Sequence, residues 1–219
     1  MLDAGKGLAY DRAIMATRIP LQNEAPRTFH RMLSGRRLHL LDPSTVDLEL
    51  KDLLIGISRV NRWCGQTLGE VGFNVAHHSC VVEQVLIEMV WPAAPLEVRR
   101  WALAHDLAEA IYGDAVTPVK AVLGQAYREL EERLDRALCQ ALGFTWPLRD
   151  EWRRKVKEAD RIAAVTEAVR LANWSLNEAR ELVGKGYKGP LWTGPLDPWT
   201  EQEARIRWTQ RFEAVGGKL

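Results

Sequence analysis

Four ionisable residues stand in three separate stretches of helical pattern: His78, the adjacent pair His105 and Asp106, and Asp160. If they act together, the chain must fold so that three helices converge on one point. His78 lies in the segment from Phe73 to Val82, which runs on into further apolar residues. His105 and Asp106 follow Ala102, Leu103 and Ala104 and precede Leu107, so small or apolar packing positions flank them. Asp160 lies between Val156 and Ala164 in another helical pattern. Two neutral imidazoles and two carboxylates suit a divalent first-row metal and leave positions open for water and a substrate. A fully protein-ligated structural zinc site would be expected to use thiolates, so this set points to catalysis.

The rest of the chain reads as helix and loop, an all-α class. Residues 1 to 41 read as an irregular or weakly extended N-terminal extension, in which Phe29 to Leu33 and Arg37 to Leu41 are expected to pair as a small hairpin across Ser34-Gly35-Arg36. Asp42-Pro43-Ser44 then marks a helix start, with Ser44 as cap and Asp47 three residues on. Val46, Leu50, Leu53, Leu54 and Ile57 recur at helical spacing, which predicts a helix ending near Val60. Gly65, Gly69 and Gly72 mark a loop ahead of the helix that carries His78. Pro92 and Pro95 separate that helix from one predicted over Leu96 to Tyr112, which Gly113 ends. A short helix after Thr117-Pro118, a charged helix from Tyr127 to Leu142 and a long one from Leu148 to Leu171 follow. A tail rich in glycine and proline leads to a last helix over Glu201 to Ala214. Residues 42 to 219 show no internal repeat and read as one domain.

Charge and cysteine usage narrow the function classes. Thirty basic against twenty-nine acidic side chains give a net charge of +1, which argues against a stable nucleic-acid partner. Cys64, Cys80 and Cys139 form no CxxC pair and leave an odd count, as expected of a reduced, cytoplasmic protein. No apolar stretch approaches the roughly 20 residues that span a bilayer, and no membrane partner is expected. Nine tryptophans are many for 219 residues, and core and subunit packing accounts for most of them, so a homo-oligomer is expected.

The order His78, His105-Asp106, Asp160 resembles the H…HD…D signature of the HD-domain metal-dependent phosphohydrolases. Arg62-Trp63, His78-Ser79, His105-Asp106-Leu107-Ala108-Glu109, Gly113-Asp114 and Thr117-Pro118-Val119-Lys120 resemble, in the same order, the bacterial 5'-deoxynucleotidases of that superfamily. The related phage dATP triphosphohydrolases share much of the pattern. The resemblance covers about residues 58 to 170 and leaves the N-terminal extension and the tail after Trp174 outside it. It implies an HD-domain helical bundle with His78, His105, Asp106 and Asp160 as ligands of one divalent metal: Co, Mn, Zn or Mg. Consecutive helical residues point about 100° apart, so only one of His77 and His78 is expected to face the site. The family's His-Ser step places that ligand at His78.

The remaining site residues follow from position and from the resemblance. Glu109 stands four residues after His105 and three after Asp106, on the same helix face, where it is expected to orient a water or move its proton. For Asp114 the resemblance implies protonation of the leaving oxygen or positioning of the nucleophile. A phosphorylated substrate needs cations as charge redistributes in the transition state, and Arg62, Lys120 and Lys157 are the candidates. Trp63 is a flat wall against the sugar, and in the 5'-deoxynucleotidases a tryptophan in this motif is associated with selection for deoxyribose. The expected activity is removal of the 5'-phosphate from deoxynucleoside monophosphates. Hydrolysis of a deoxynucleoside triphosphate such as dATP is the close alternative, which Lys120 and Lys157 favour. A nucleotide-sensing module without turnover is the alternative of another class, disfavoured by the presence of Glu109.

Overall fold

A computed structural model of the chain describes residues 28 to 218, and it is all-α with one small hairpin. The expectations placed on residues 1 to 27 lie outside the described residues. Strands β1 (Phe29–Arg31) and β2 (Arg37–His39) pair antiparallel, Phe29 opposite His39 and Arg31 opposite Arg37. The helices are α1 (Leu50–Arg59), α2 (Val75–Val85), α3 (Leu96–Ala104), α4 (Glu109–Tyr112), α5 (Thr117–Leu123), α6 (Gln125–Ala141), α7 (Asp150–Arg170), α8 (Leu176–Glu178) and α9 (Glu201–Ala214). The hairpin is not appended to this bundle. Met32 and Leu38 belong to the same core as the helices, and the buried Asp52 carboxylate of α1 accepts from the Ser34 N–H at 3.1 Å and its hydroxyl at 2.6 Å.

Helix α2 forms the centre. Asn74 caps it by accepting the His77 N–H at 2.9 Å, which satisfies one of the donors a first turn leaves open. Every residue of α2 except Gln84 is buried, so it needs neighbours on all sides, and α1, α3, α7 and α9 supply them. Trp208 of α9 lies against α3, donating its indole N–H to the Leu103 carbonyl at 2.9 Å. The tail between α8 and α9 is a packed strap. Trp192 is buried and donates its indole N–H to Glu88 at 2.6 Å, while Arg170 of α7 donates to the carbonyl of Gly194 at 2.7 Å.

Two predicted helices are shorter than their apolar spacing suggests. Ser44 does accept from the Val46 N–H, but the turn it closes is a single 3-10 turn over Thr45–Asp47, and α1 begins afresh at Leu50. Val46 is 68% exposed, so this first turn has no core to pack on, and one capped turn does not propagate by itself. The helix predicted over Leu96 to Tyr112 breaks at His105 to Ala108. There the backbone tightens to i→i+3 bonds, Leu107 to Ala104 at 3.0 Å and Glu109 to Asp106 at 3.0 Å. The His105 ring nitrogen Nδ1, 2.8 Å from the Ala102 carbonyl, competes for a backbone acceptor at that point.

Packing of α1 fixes where α4 lies. A Cβ on Gly56 would stand 2.5 Å from the Cβ of Ala110 and 3.0 Å from its Cα, so the two backbones approach as closely as glycine allows. Gly56→Ala would gain about 1 kcal/mol in helix propensity. Overpacking against a backbone that cannot yield costs about 1–3 kcal/mol and should outweigh it. Urea titration should therefore show a lower unfolding midpoint for this variant, and an equal or higher midpoint would mean that α1 and α4 can separate at no cost.

Candidate metal centre

The break after α3 turns His105 and Asp106 toward α2 and α7. His78 Nε2 lies 3.4 Å from Asp106 Oδ2 and 3.3 Å from Asp160 Oδ1, and His105 Nε2 lies 3.2 Å from Asp106 Oδ2. The donor atoms of His78, His105 and Asp160 all fall within 4.8 Å of one another. Donors about 2.1 Å from a shared ion at tetrahedral or adjacent octahedral angles are separated by roughly 3.0–3.4 Å, the spacing of His78 from Asp106 and Asp160 and of His105 from Asp106. Both Nε2 atoms are buried without a hydrogen-bond partner. Each ring has its other nitrogen engaged, His105 Nδ1 at Ala102 and His78 Nδ1 at 2.6 Å from Glu167 Oε1. Imidazoles held this way present a bare nitrogen to a cation, so this buried cluster is fit to hold a metal ion.

His77 takes the opposite side of α2. It is buried, its ring stacks on Trp199 at 3.6 Å with 7° between planes, and burial pushes its pKa down to about 3. The Arg207 guanidinium covers the other face of Trp199. Of the two consecutive histidines, then, His78 faces the cluster and His77 is core.

The cluster's charges are matched from several elements. Burial alone would raise the Asp106 carboxyl, but His105 and His78 hold it well below the ordinary carboxylate range. Burial opposes ionisation of Asp160 as well, and the nearby His78 ring and the Lys157 charge keep it low. Lys157 Nζ donates to Asp160 Oδ2 at 2.8 Å. Arg62 Nη1 stands 3.7 Å from Asp106 and 3.8 Å from Asp114, placing the guanidinium between two of the expected site residues. Glu109 is buried, with Oε2 unpartnered, and burial together with Asp106 and Asp114 pushes it up to about 10. Lys120 donates to Glu131 at 2.9 Å, and its charge is also felt by Glu109.

The loop that presents Arg62 is pinned to the entry of α2. Arg62 N–H bonds the Phe73 carbonyl at 2.8 Å, and Asn61 bridges Asn74. Trp63 and Cys64 then take φ of 59° and 51°, left-handed values that bulky side chains rarely adopt. Such backbone persists only where its surroundings hold it. The Trp63 indole meets Trp174 edge to face at 5.9 Å and donates to Glu167 Oε2 at 3.3 Å.

Glu167 is the site residue that the sequence reading lacks. It is fully buried and receives His78, the Arg62 Nε at 3.0 Å and the Trp63 indole. The signal available was its spacing. Glu167 stands two helical turns beyond Asp160 within Ala163-Ala164-Val165-Thr166-Glu167-Ala168-Val169, an acid where an apolar core residue is expected.

No family model matches the chain. An uncharacterized protein of Rhodobacter capsulatus is 42% identical over 162 residues, covering 73% of this chain and 81% of the relative. The chain belongs to the same family as that protein. No helix among the described residues is long and apolar enough to cross a membrane.

His105→Ala and Asp106→Ala should lose bound divalent metal, measured by elemental analysis after dialysis, while keeping the helical circular dichroism. His77→Ala should do the reverse, retaining metal but losing roughly 2–4 kcal/mol of stability through the vacated core position and lost stacking. Metal loss on replacing His77 alone would reverse the assignment.

Proposed function

We propose that this chain is a metal-dependent phosphohydrolase of the HD type acting on deoxynucleotides, and that its leading reaction removes the 5'-phosphate from deoxynucleoside monophosphates. The observation that carries this reading is the pair of buried, unpartnered Nε2 atoms of His78 and His105 set against Asp106 and Asp160, with a guanidinium beside them. These four side chains would hold the ion. When bound, a divalent cation supplies a water of lowered pKa and a Lewis acid for a phosphoryl oxygen.

The chain's own groups supply the rest. Glu109, whose carboxyl burial and the Asp106 and Asp114 charges push up to about 10, holds a proton at neutral pH that it could donate as a general acid or use to orient a water. Asp114, next to Arg62, is the candidate to protonate the leaving oxygen or to position the nucleophile. Burial opposes the charge of Arg62, but Glu167, Asp114 and Asp106 keep it, so the guanidinium would balance phosphate oxygens. Trp63, fixed by Glu167 and Trp174, is the wall that would leave no room for a 2'-hydroxyl.

A specific feature favours the triphosphate as a second reading. Arg154, Lys157 and Arg161 of α7, together with Glu158 and Tyr187, line a shallow cleft of about 320 Å³. Because Lys157 bonds Asp160, this basic cleft adjoins the cluster, where further phosphates would find cations. A sensing module without turnover would have no use for Glu109.

A screen of deoxy- and ribonucleotide mono-, di- and triphosphates with Mn, Co, Mg and Zn tests the proposal. Inorganic phosphate released from a deoxynucleoside monophosphate supports the leading reaction, tripolyphosphate or stepwise phosphate from a triphosphate supports the second, and no turnover of any of them refutes both. Glu109→Ala should remain folded and metal-loaded yet nearly inactive, and metal loss in that variant would make Glu109 a ligand instead. Trp63→Ala should raise ribonucleotide turnover relative to deoxynucleotide turnover. If the ratio is unchanged in a variant whose melting curve shows it folded, Trp63 is packing alone.

A further inference from the structure

Glu167 touches both halves of the site at once. Its Oε1 lies 2.6 Å from His78 Nδ1, and its Oε2 accepts the Arg62 Nε–H at 3.0 Å and the Trp63 indole N–H at 3.3 Å. The side chains of Glu167 and His78 are both wholly inaccessible to solvent, so water cannot substitute for any of these bonds. A carboxylate is acceptor-only, so it places a proton on Nδ1, and in the neutral imidazole that a metal ion would require this leaves the Nε2 lone pair for the cluster. On the other side, the same carboxylate closes on a loop whose Trp63 and Cys64 both hold left-handed backbone.

We propose that Glu167 is a positioning residue that couples the candidate metal centre to the Arg62–Trp63 loop. One carboxylate, 89 residues from His78 and 105 from Arg62 in the chain, sets the imidazole tautomer that faces the ion and holds the arginine and indole that face the substrate. The proposal rests on the metal reading of His78 but not on the identity of the substrate. A buried acid that served the fold alone would lower stability when replaced and leave ion affinity unchanged.

Glu167→Gln separates these cases, because glutamine keeps the size and shape. It can accept from His78 or from Arg62 and Trp63 with its one carbonyl oxygen, but it carries no charge to match the guanidinium. Titration of the full-length protein with Mn²⁺ should show a dissociation constant raised about 10–100-fold, the usual effect of losing a partner behind a metal-bound histidine. Hydrogen exchange at residues 62 to 66 should quicken while exchange in α9 stays as in the wild type. Wild-type Mn²⁺ affinity in a folded Glu167→Gln variant, or unchanged exchange at residues 62 to 66, would overturn the coupling. A wild-type protein that binds none of Mn²⁺, Co²⁺ and Zn²⁺ would overturn the metal centre itself and the coupling with it. Should the variant fail to fold, ¹⁵N spectroscopy of the Zn²⁺-loaded wild type decides. A slowly exchanging proton on His78 Nδ1 with Nε2 metal-bound is expected, and ligation through Nδ1 refutes the role.

Discussion

The interior depends on the matching of polar groups on a helix that is buried on all sides. Helix α2 carries Asn74, His77, His78 and Glu83 into the core, and none can be desolvated alone at acceptable cost. They are met from the strap, α7, α3 and α9. Asn74 donates to the Trp199 carbonyl, His77 stacks on Trp199, and His78 meets Glu167 of α7. Glu83 is held by Arg99 of α3 at 2.7 Å and by Arg211 of α9. The apolar faces of α3, α7 and α9 would accept many rotations about α2, whereas these pairs fix one.

The candidate metal centre is a product of the same arrangement. With α2 fixed against α7, His78 and Asp160 meet, and the tightened turn after α3 carries His105 and Asp106 to them. The cluster gathers acids faster than bases. Its surroundings show the imbalance, since burial and neighbouring carboxylates push Glu109 up to about 10 and Asp135 of α6 up to about 7. A surplus of carboxylate in a low-dielectric pocket favours a divalent cation on electrostatic grounds alone.

Much of this was legible in the sequence because it is local. The helices α6, α7 and α9 follow apolar spacing and breakers, and α9 occupies its predicted span. Helical geometry lets only one of His77 and His78 face the site, and the His-Ser step of the resemblance picks His78, as the structure places it. What was hidden depends on contacts across the fold. The break at His105 comes from a side chain taking a backbone carbonyl, which no apolar periodicity records. The spacing of Glu167 marks it as an acid in a core position, but its partners, Arg62 and His78, come from far away in the chain and no local pattern names them. Lys120 has the composition of a phosphate ligand, yet Glu131 claims it one helix later.

The packing of the strap and α9 behind α2 also orders events in time. Every candidate ligand has been synthesised once Asp160 is made, and Glu167 follows seven residues later. Yet Trp199, which covers the rear of α2, and Trp208 and Phe212, which lie in its core, come some forty residues further on. A nascent chain that has emerged only through α7 contains all four candidate ligands, but its α2 is still open to water along one side. The native geometry of the cluster is therefore complete only after α9 has docked on α2.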